Sequence, residues 1–347
     1  IGGVVYYLEN RYSEFLKEAG LPVQFRNDST VAPLRIVLVT QEDPFYIPLF
    51  FREFFRIAEL RREHLTGEDV GSDLGPRVGA AGAADRTGRR PAGSVANSAR
   101  GGGRVDTAGG ALRIPAAGKP VEVAGVMIQR PLGNKTSKGL AKRIWRLYSA
   151  LGFLRLGLRY LWAKAVKLIV PTRSIAGLTK SASVAVLGMS DANGEEFARF
   201  VRDNSIDLVV SVAASQIFKK RILEAPQIGC INLHNAPLPH YRGMLPNFWQ
   251  MYHGEKESVL TIHYMVEDLD KGDILLQQAT PIGEEMSLEQ LMRTTKKRSA
   301  RALWQLLDHF SAGTARTTPL SDEEGSYFSW PSREDAREFK RRGKRLL

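Results

Sequence analysis

The sequence predicts an α/β protein with a Rossmann-like, doubly wound and mostly parallel sheet. Compact runs of β-branched residues alternate with segments whose apolar residues recur at helical spacing, which is the pattern of βαβ units. The last two strand-like runs are separated only by a short acidic turn, which predicts a terminal hairpin. With 347 residues, 43% of them hydrophobic, the chain can bury a substantial core.

Five strands are predicted ahead of the hairpin, at residues 35–40, 121–128, 183–189, 206–213 and 229–234. Apolar residues at helical spacing occur after the first strand, in PLFFREFFRIAEL, and before the fourth strand, in GEEFARFVRDNS. The hairpin strands are VLTIHYM and DILLQQATPI. A long helix is expected at 286–310, with Ser287 as its N-cap and Gln290 three residues later.

The chain divides into three parts. We expect an N-terminal extension at 1–30, a core at 31–285, and a C-terminal helix with a charged tail at 286–347. Two segments, 62–118 and 134–167, interrupt the core because their composition does not fit a compact sheet.

The first interrupting segment, 62–118, is built mainly from Gly, Ala and Arg. No aromatic residue occurs between Phe55 and Trp145. Such a segment cannot bury enough apolar surface to order itself, so we expect a disordered insertion. The alternative is a stretch of GC-rich DNA translated in the wrong frame, and neither interpretation assigns it a function.

The second interrupting segment, 134–167, contains nine Lys and Arg residues and no Asp or Glu. Its apolar residues fall at helical spacing, so it predicts a basic amphipathic helix. Such a helix can lie on a membrane surface or contact a polyanion such as tRNA, or it can simply pack on the domain with its charges solvated. No run of about 18 apolar residues occurs, so no membrane span is expected.

The net charge of +12 says little about the substrate of the core. Residues 168–285 contain ten basic and fourteen acidic residues, so the excess positive charge lies elsewhere. The single cysteine, Cys230, excludes an intrachain disulfide and a cysteine-based zinc site. One cysteine fits a reducing, cytoplasmic location.

Candidate catalytic residues occur where the fifth strand ends, in CINLHNAPLPHYRG. Asn232 and His234 are two residues apart, so in a strand their side chains point to the same face. Pro237 and Pro239 then end the strand. A second candidate group is the hairpin turn, VEDLDKGDILLQ, which carries Glu267, Asp268 and Asp270. A surface turn often carries such residues for turn chemistry alone.

Taken together, these motifs resemble the formyltransferase family, which includes glycinamide ribonucleotide transformylase, methionyl-tRNA formyltransferase and the sugar N-formyltransferases. The resemblance rests on Asn232-Leu233-His234, on Leu238-Pro239-x-Tyr241-Arg242-Gly243, on LTIHYM, and on Leu269-Asp270-x-Gly272-Asp273-Ile274-Leu275. It is strong at 183–285, fair at 35–56 and absent from 62–118.

The resemblance implies a folate-dependent one-carbon transferase that moves a formyl group from 10-formyltetrahydrofolate to an amine. Asn232, His234 and Asp270 match the family's catalytic motifs. Asn232 and protonated His234 can stabilise negative charge on the formyl oxygen. Asp270 can hold His234 in its charged form and accept the proton that the amine loses. No metal is expected.

The resemblance also implies a donor site that is lined mainly by backbone. We expect three segments to hold the pterin: the loop Ser215, Gln216, Ile217 and Phe218; the turn Ala236, Pro237, Leu238 and Pro239; and the hairpin residues Val266, Glu267, Asp268 and Leu269. Many members of the family have Ser-Leu-Leu-Pro where this chain has Ala236-Pro237-Leu238-Pro239.

The acceptor is expected to be a small amine such as an amino sugar, with methionyl-tRNA as the alternative. The tRNA members imply a C-terminal barrel, whereas only 62 residues follow Glu285, and TIHYM resembles the sugar members. The basic segment 134–167 favours tRNA. Two other classes remain: a hydrolase that releases formate from the same donor, and a non-catalytic protein bound to a membrane or polyanion.

Overall fold

A computed structural model describes residues 32–43, 45–66, 119–130, 137–148, 150–320 and 325–347. The predicted N-terminal extension at 1–30 lies outside the described residues. The same holds for most of the predicted insertion, since only 62–66 are described at its start, where they continue a helix.

The centre of the fold is a seven-stranded sheet in the order β3-β2-β1-β4-β5-β7-β8. Its strands are β1 (Leu34–Gln41), β2 (Val121–Gln129), β3 (Val186–Leu187), β4 (Leu208–Val212), β5 (Gly229–His234), β7 (Glu257–Tyr264) and β8 (Ile274–Pro281). The first five are parallel, while β7 runs antiparallel to both β5 and β8. This arrangement confirms the predicted doubly wound, mostly parallel sheet with a terminal hairpin.

Nine helices lie in the described part of the chain, together with a short 3₁₀ turn at Pro171–Arg173. They are α1 (Ile47–Thr66), α2 (Ser137–Leu147), α3 (Ala150–Ile169), α4 (Ile175–Ser181), α5 (Glu195–Asp203), α6 (Lys220–Leu223), α7 (Pro246–His253), α8 (Leu288–Ser311) and α9 (Arg333–Arg341). A two-stranded sheet joins β6 (Arg242–Gly243) to β9 (Tyr327–Phe328).

The alternation of side chains along β1 explains why helices cover both faces of the sheet. Ile36 and Leu38 belong to the core beneath α1 and α8, while Val37 and Val39 face the core beneath α5. A strand buried on both faces reads as a continuous apolar run, which is the pattern of RIVLVT. On the first face, the rings of Phe54 and Trp304 stack at 4.9 Å.

Two long helices begin with side-chain caps. Oδ1 of Asp43 accepts hydrogen bonds from the backbone N–H groups of Phe45 and Tyr46, both at 2.6 Å, just ahead of α1. Ser287 and Gln290 form the reciprocal capping box at the start of α8, as their spacing predicts.

Three predicted elements differ from the structure. The strand predicted at 183–189 is reduced to the two residues Val186 and Leu187, because the chain pairs only with the edge of β2 there. The basic segment forms two helices, α2 and α3, rather than one. The tail beyond α8, expected only as a charged extension, contains β9 and α9 and buries Ala336 and Phe339.

None of the helices in the described ranges is long and apolar enough to cross a membrane. The cytoplasmic location stays a prediction.

Candidate active site

The candidate active site begins at the carboxyl end of β5, where Asn232 and His234 lie on one face. The register with β7 places Asn232 opposite His263 and His234 opposite Thr261. Directly opposed side chains in an antiparallel pair are close enough to interact. Two histidines and an amide therefore meet between these two strands.

His234 is buried, and its ring is oriented by a backbone group. Its Nε2 donates a hydrogen bond to the carbonyl oxygen of Tyr241 at 3.1 Å. Nδ1 lies 3.8 Å from Oδ1 of Asp270, which is near enough for charge attraction but too long for a direct hydrogen bond. A proton on Nδ1 of His234 would therefore face the Asp270 carboxylate.

The hairpin turn brings Asp270 inward and leaves its other carboxylates outside. Asp270 is 7% exposed and has a φ of +54°, whereas Glu267 and Asp268 are exposed. Its Oδ2 accepts a hydrogen bond from the backbone N–H of Gly243 at 3.2 Å. Gly272 permits the turn, because a Cβ there would lie 1.9 Å from the carbonyl oxygen of Tyr264.

His263 is a site residue that sequence reasoning quoted in LTIHYM but did not assign. Its Nδ1 donates to the carbonyl oxygen of Tyr264 at 2.7 Å, so the lone pair of the neutral ring lies on Nε2. That nitrogen lies 3.3 Å from Nδ2 of Asn232, which donates to it, and 3.7 Å from Oδ1 of Asp270.

The pKa of His263 is lowered from 6.5 to about 4, mainly because burial disfavours its charged form. The charge of His234 lowers the pKa further, while Asp270 and the Tyr264 carbonyl raise it. His263 is thus neutral near pH 7 and acts as the hydrogen-bond acceptor that orients the Asn232 amide. Pairing of β7 with β5 would have indicated that His263 lies beside Asn232. That inference requires the register of the two strands, which the sequence alone does not define.

The C-terminal segment, residues 325–347, forms hydrogen bonds with the turn at 241–244. Backbone groups of that turn contact His234 and Asp270. The backbone N–H of Tyr241 donates to Oγ of Ser326, and that of Arg242 donates to the Ser326 carbonyl, both at 2.9 Å. Met244 N–H donates to the carbonyl of Phe328 at 2.9 Å. The hydroxyl of Tyr241 donates to Glu255 at 2.6 Å, and burial together with this hydrogen bond raises the pKa of Tyr241.

The predicted donor loop at 215–218 has most of its side chains engaged. Ser215 N–H and Oγ both donate to Oε1 of Gln129, at 2.8 and 3.1 Å. The Gln216 amide donates to Asp191 and accepts from the N–H of Ala192. Phe218 lies in the core beneath α5, so only Ile217 presents an exposed side chain. The loop can therefore contact a ligand through Ile217 and through its backbone.

Hydrogen bonds from Thr261 and Gln277 fix the backbone of the predicted turn at 236–239. Oγ1 of Thr261 donates to the carbonyl of Ala236 at 2.5 Å, and Gln277 donates to the carbonyl of Leu238 at 3.2 Å. Ala236 and Leu238 are buried, while Pro237 and Pro239 are half-buried.

A cavity of about 580 Å³ lies between the predicted loop and the predicted hairpin turn, since Ile217, Phe218 and Glu267 all line it. Val266 and Leu269 expose apolar side chains on the same turn. The remaining lining residues are polar or charged, and they are Asp191, Asn193, Lys219, Lys220 and Arg221. Neither this cavity nor a larger one of about 650 Å³ beside Tyr241 and Glu255 includes Asn232, His234 or Asp270 in its lining.

Within the described ranges, no group of three or more His, Cys, Asp or Glu side chains could hold a metal ion.

Part of the chain is similar in sequence to a known family of proteins. Residues 170–307 match the formyl transferase family. The methionyl-tRNA formyltransferase of Syntrophus aciditrophicus is 36% identical over 169 residues, which are 49% of this chain and 54% of that protein. The enzyme of the same name from Macrococcus caseolyticus is 33% identical over 158 residues, 46% of this chain and 51% of that protein. The chain thus spans about half the length of the curated relatives it matches.

Solved structures with a similar arrangement include a sugar N-formyltransferase from a Shewanella species, at 15% identity and a TM-score of 0.44. It covers 85% of this chain, which in turn covers 77% of that chain. Glycinamide ribonucleotide transformylase 1 from Symbiobacterium toebii has 15% identity, a TM-score of 0.46, and coverage of 83% and 95% respectively. The family match covers residues 170–307, which are less than half of this chain.

Proposed function

We propose that the protein transfers a formyl group from 10-formyltetrahydrofolate to a primary amine, with Asn232, His234 and Asp270 as its catalytic residues. The observation that carries the proposal is the approach of the Asp270 carboxylate to His234 Nδ1, at 3.8 Å, within a domain of the formyl transferase family. His234 ends β5, Asp270 lies in the turn between β7 and β8, and both are buried.

The donor would be held between the loop 215–218 and the turn 266–269. The cavity of about 580 Å³ between them combines the exposed apolar side chain of Ile217 with polar groups, which is the mixed lining that a pterin requires. Lys219, Lys220 and Arg221 on the same cavity complement the carboxylates of the folate tail. When bound, the donor supplies an electrophilic formyl carbon.

The chain's own residues then stabilise charge and move a proton. One N–H of the Asn232 amide is held by neutral His263, and the other donates to the formyl oxygen as negative charge develops there. Protonated His234 adds a positive charge beside the same oxygen. The bond from the amine nitrogen to the formyl carbon forms and the bond from that carbon to N10 breaks. Asp270 receives the proton that the amine releases and returns it to N10, so that tetrahydrofolate leaves as a neutral amine.

The acceptor with the most support is methionyl-tRNA. The relatives at 36% and 33% identity are methionyl-tRNA formyltransferases, which supports this acceptor better than the amino sugar expected from the sequence. The similarity covers about half of each relative, so the acceptor of this chain requires a direct test.

The experiment incubates the full chain with 10-formyltetrahydrofolate and either methionyl-tRNA or an amino-sugar nucleotide, and follows release of tetrahydrofolate and the formylated product. We expect turnover with methionyl-tRNA. Release of formate without an acceptor would instead identify a hydrolase. Absence of turnover in every arm, together with no stabilisation by a 5-formyl folate analogue, would contradict the proposal. Such an analogue at a hundredfold its Kd should add about 2.7 kcal/mol to the free energy of unfolding.

Variants test the assigned roles. Asn232→Ala should lower turnover by about 10²–10³-fold, since one oriented donor to the oxyanion is lost. Asp270→Asn should lose as much activity as His234→Ala, and the double variant should be little worse, because residues that act as a unit are not additive. The matched control is Asp273→Asn, which removes an exposed carboxylate from the same turn. Near-normal turnover of Asp270→Asn would remove Asp270 from the catalytic group.

A further inference from the structure

The helix α3 is amphipathic, but its apolar side faces solvent instead of the protein core. Five large apolar side chains on it are between 58% and 77% exposed, and they are Leu151, Leu154, Leu158, Leu161 and Trp162. Their spacing of three, four, three and one residues places them within about 100° of the helix circumference. They therefore form one continuous surface, which we call the outer face of α3.

Charged side chains hold the opposite side of the helix against the protein. Arg159 donates two parallel hydrogen bonds to Glu289 on α8, at 2.7 and 2.9 Å. Lys167 pairs with Glu42, just beyond β1. Both ion pairs lie on the side of α3 that faces the protein, and the exposed leucines point away from it.

Exposed cations surround the outer face. Arg155 and Lys164 are exposed on α3, and Lys142 and Arg146 are exposed on α2, where Trp145 is also 44% exposed. No Asp or Glu occurs in the sequence from Val123 to Ser190. A large apolar surface bordered by Lys, Arg and Trp without compensating acid is the composition of helices that lie in the interface of an anionic bilayer.

We propose that the outer face of α3 docks on an anionic membrane surface, with the leucines inserted between lipid chains and the cations of α2 and α3 against the headgroups. The helix lies on the bilayer rather than across it, since its Arg and Lys residues interrupt the apolar sequence. The proposal does not depend on the activity proposed above.

The chemistry of the face favours lipid over two other occupants. RNA is bound by cations and by flat rings on which bases stack. Exposed cations and the Trp162 ring could contact it, but the four leucines that make up most of the outer face offer it neither charge nor a ring. A second copy of the chain would bring an identical set of cations against this one, without acids to neutralise them. Lipid headgroups supply the negative charge, and acyl chains supply the apolar contact.

The experiment measures sedimentation of the full chain with sucrose-loaded vesicles of phosphatidylcholine alone or with 30% phosphatidylglycerol. We expect binding to the anionic vesicles, little binding to neutral ones, and weakening as salt rises, because exposed charges are screened within about 8 Å at physiological ionic strength. The double substitution Leu154→Gln and Leu158→Gln should lower the bound fraction at least tenfold. Lys142→Gln with Arg146→Gln should weaken binding less and reduce its salt dependence.

The matched control is Ile228→Gln, which removes an exposed apolar side chain just ahead of β5, away from the helical pair. It should bind vesicles as the unmodified chain does, and all variants should keep its thermal unfolding temperature. Three outcomes would overturn the proposal: no binding to anionic vesicles, unchanged binding of the leucine variant, or a dimer in solution that the leucine variant dissociates. Loss of tRNA binding with unchanged vesicle binding in that variant would assign the face to RNA.

Discussion

The C-terminal segment 325–347 and the helix α3 are both rich in Arg and Lys, yet they relate to the rest of the fold in opposite ways. α9 has few apolar residues and buries Ala336 and Phe339. α3 is far more apolar and leaves most of its leucines exposed. Hydrophobic content therefore does not decide which of the two belongs to the structural core.

The two segments differ in the kind of contact that each makes with the rest of the protein. The ring of Phe339 stacks on Phe248 of α7 at 4.6 Å, and the backbone of Ser326 and Phe328 is bonded to the turn at 241–244. α3 is joined to α8 by the Arg159–Glu289 pair. The C-terminal segment is therefore attached by apolar packing and backbone hydrogen bonds, whereas α3 is attached by ion pairs at the surface.

The largest effect that separates the two regions should come from removing the ring of Phe339. Phe339 is fully buried, so Phe339→Ala should lower the free energy of unfolding by about 3–5 kcal/mol through lost burial and a cavity. Leu158→Ala, on the outer face of α3, should change it by no more than about 0.5 kcal/mol. Chemical denaturation of both variants checks this, and equal losses would mean that α3 packs as firmly as α9.

A second expected effect concerns pH, because the candidate active site, unlike α2 and α3, contains a buried neutral histidine, His263. No Asp, Glu or His occurs from Val123 to Ser190, so α2 and α3 carry no such group that titrates between pH 4 and 7. The pKa of His263 is about 4 in the folded chain and 6.5 ordinarily. Between these values the unfolded chain binds the proton and the folded chain does not.

The contribution of His263 to stability is therefore complete above pH 6.5, falls through the window from 6.5 to about 4, and is lost below it. The loss across the window is on the order of 3 kcal/mol. We expect His263→Asn to flatten the fall in stability between pH 7 and 4.5, measured by denaturation at each pH. His309→Gln, at an exposed histidine, is the control, and an unchanged slope in His263→Asn would contradict the assignment.

Part of the fold and part of the candidate site could be predicted from the sequence. The strands β1, β2, β4 and β5 and the terminal hairpin were predicted, because local runs of β-branched residues determine them. Asn232 and His234 were placed on one face by the two-residue period of a strand. These features depend on neighbours in the sequence.

What sequence reasoning missed depends on partners far along the chain. His263 becomes part of the site through its register with Asn232, and the C-terminal segment through hydrogen bonds from Tyr241 and Arg242 to Ser326. The tail appeared as a solvated charge run because its few buried side chains are separated by Arg and Lys. The orientation of α3 was equally hidden, since periodicity identifies an apolar face but not the direction in which it points.

A smaller effect is expected where the C-terminal segment touches the catalytic turn. Ser326→Ala removes the acceptor for the backbone N–H of Tyr241, which should cost about 1 kcal/mol of stability. Because Tyr241 also orients His234, turnover should fall while the affinity for a folate analogue is kept. Steady-state kinetics with analogue binding check this, and Ser329→Ala, three residues along the same segment, is the control. Parallel losses of turnover and analogue affinity would indicate general unfolding of the turn.

The smallest effect should come from releasing α3 itself. Arg159→Ala removes the bidentate pair with Glu289, and half-exposed ion pairs contribute less than about 1 kcal/mol. Global unfolding should therefore change little, but the amides of α3 should exchange with solvent faster, because local opening no longer breaks that contact. Arg155→Ala, on the same helix and exposed, should leave both quantities unchanged. If hydrogen exchange of α3 is unaltered in Arg159→Ala, other contacts orient the helix, and its outward leucines must be explained by packing rather than by charge.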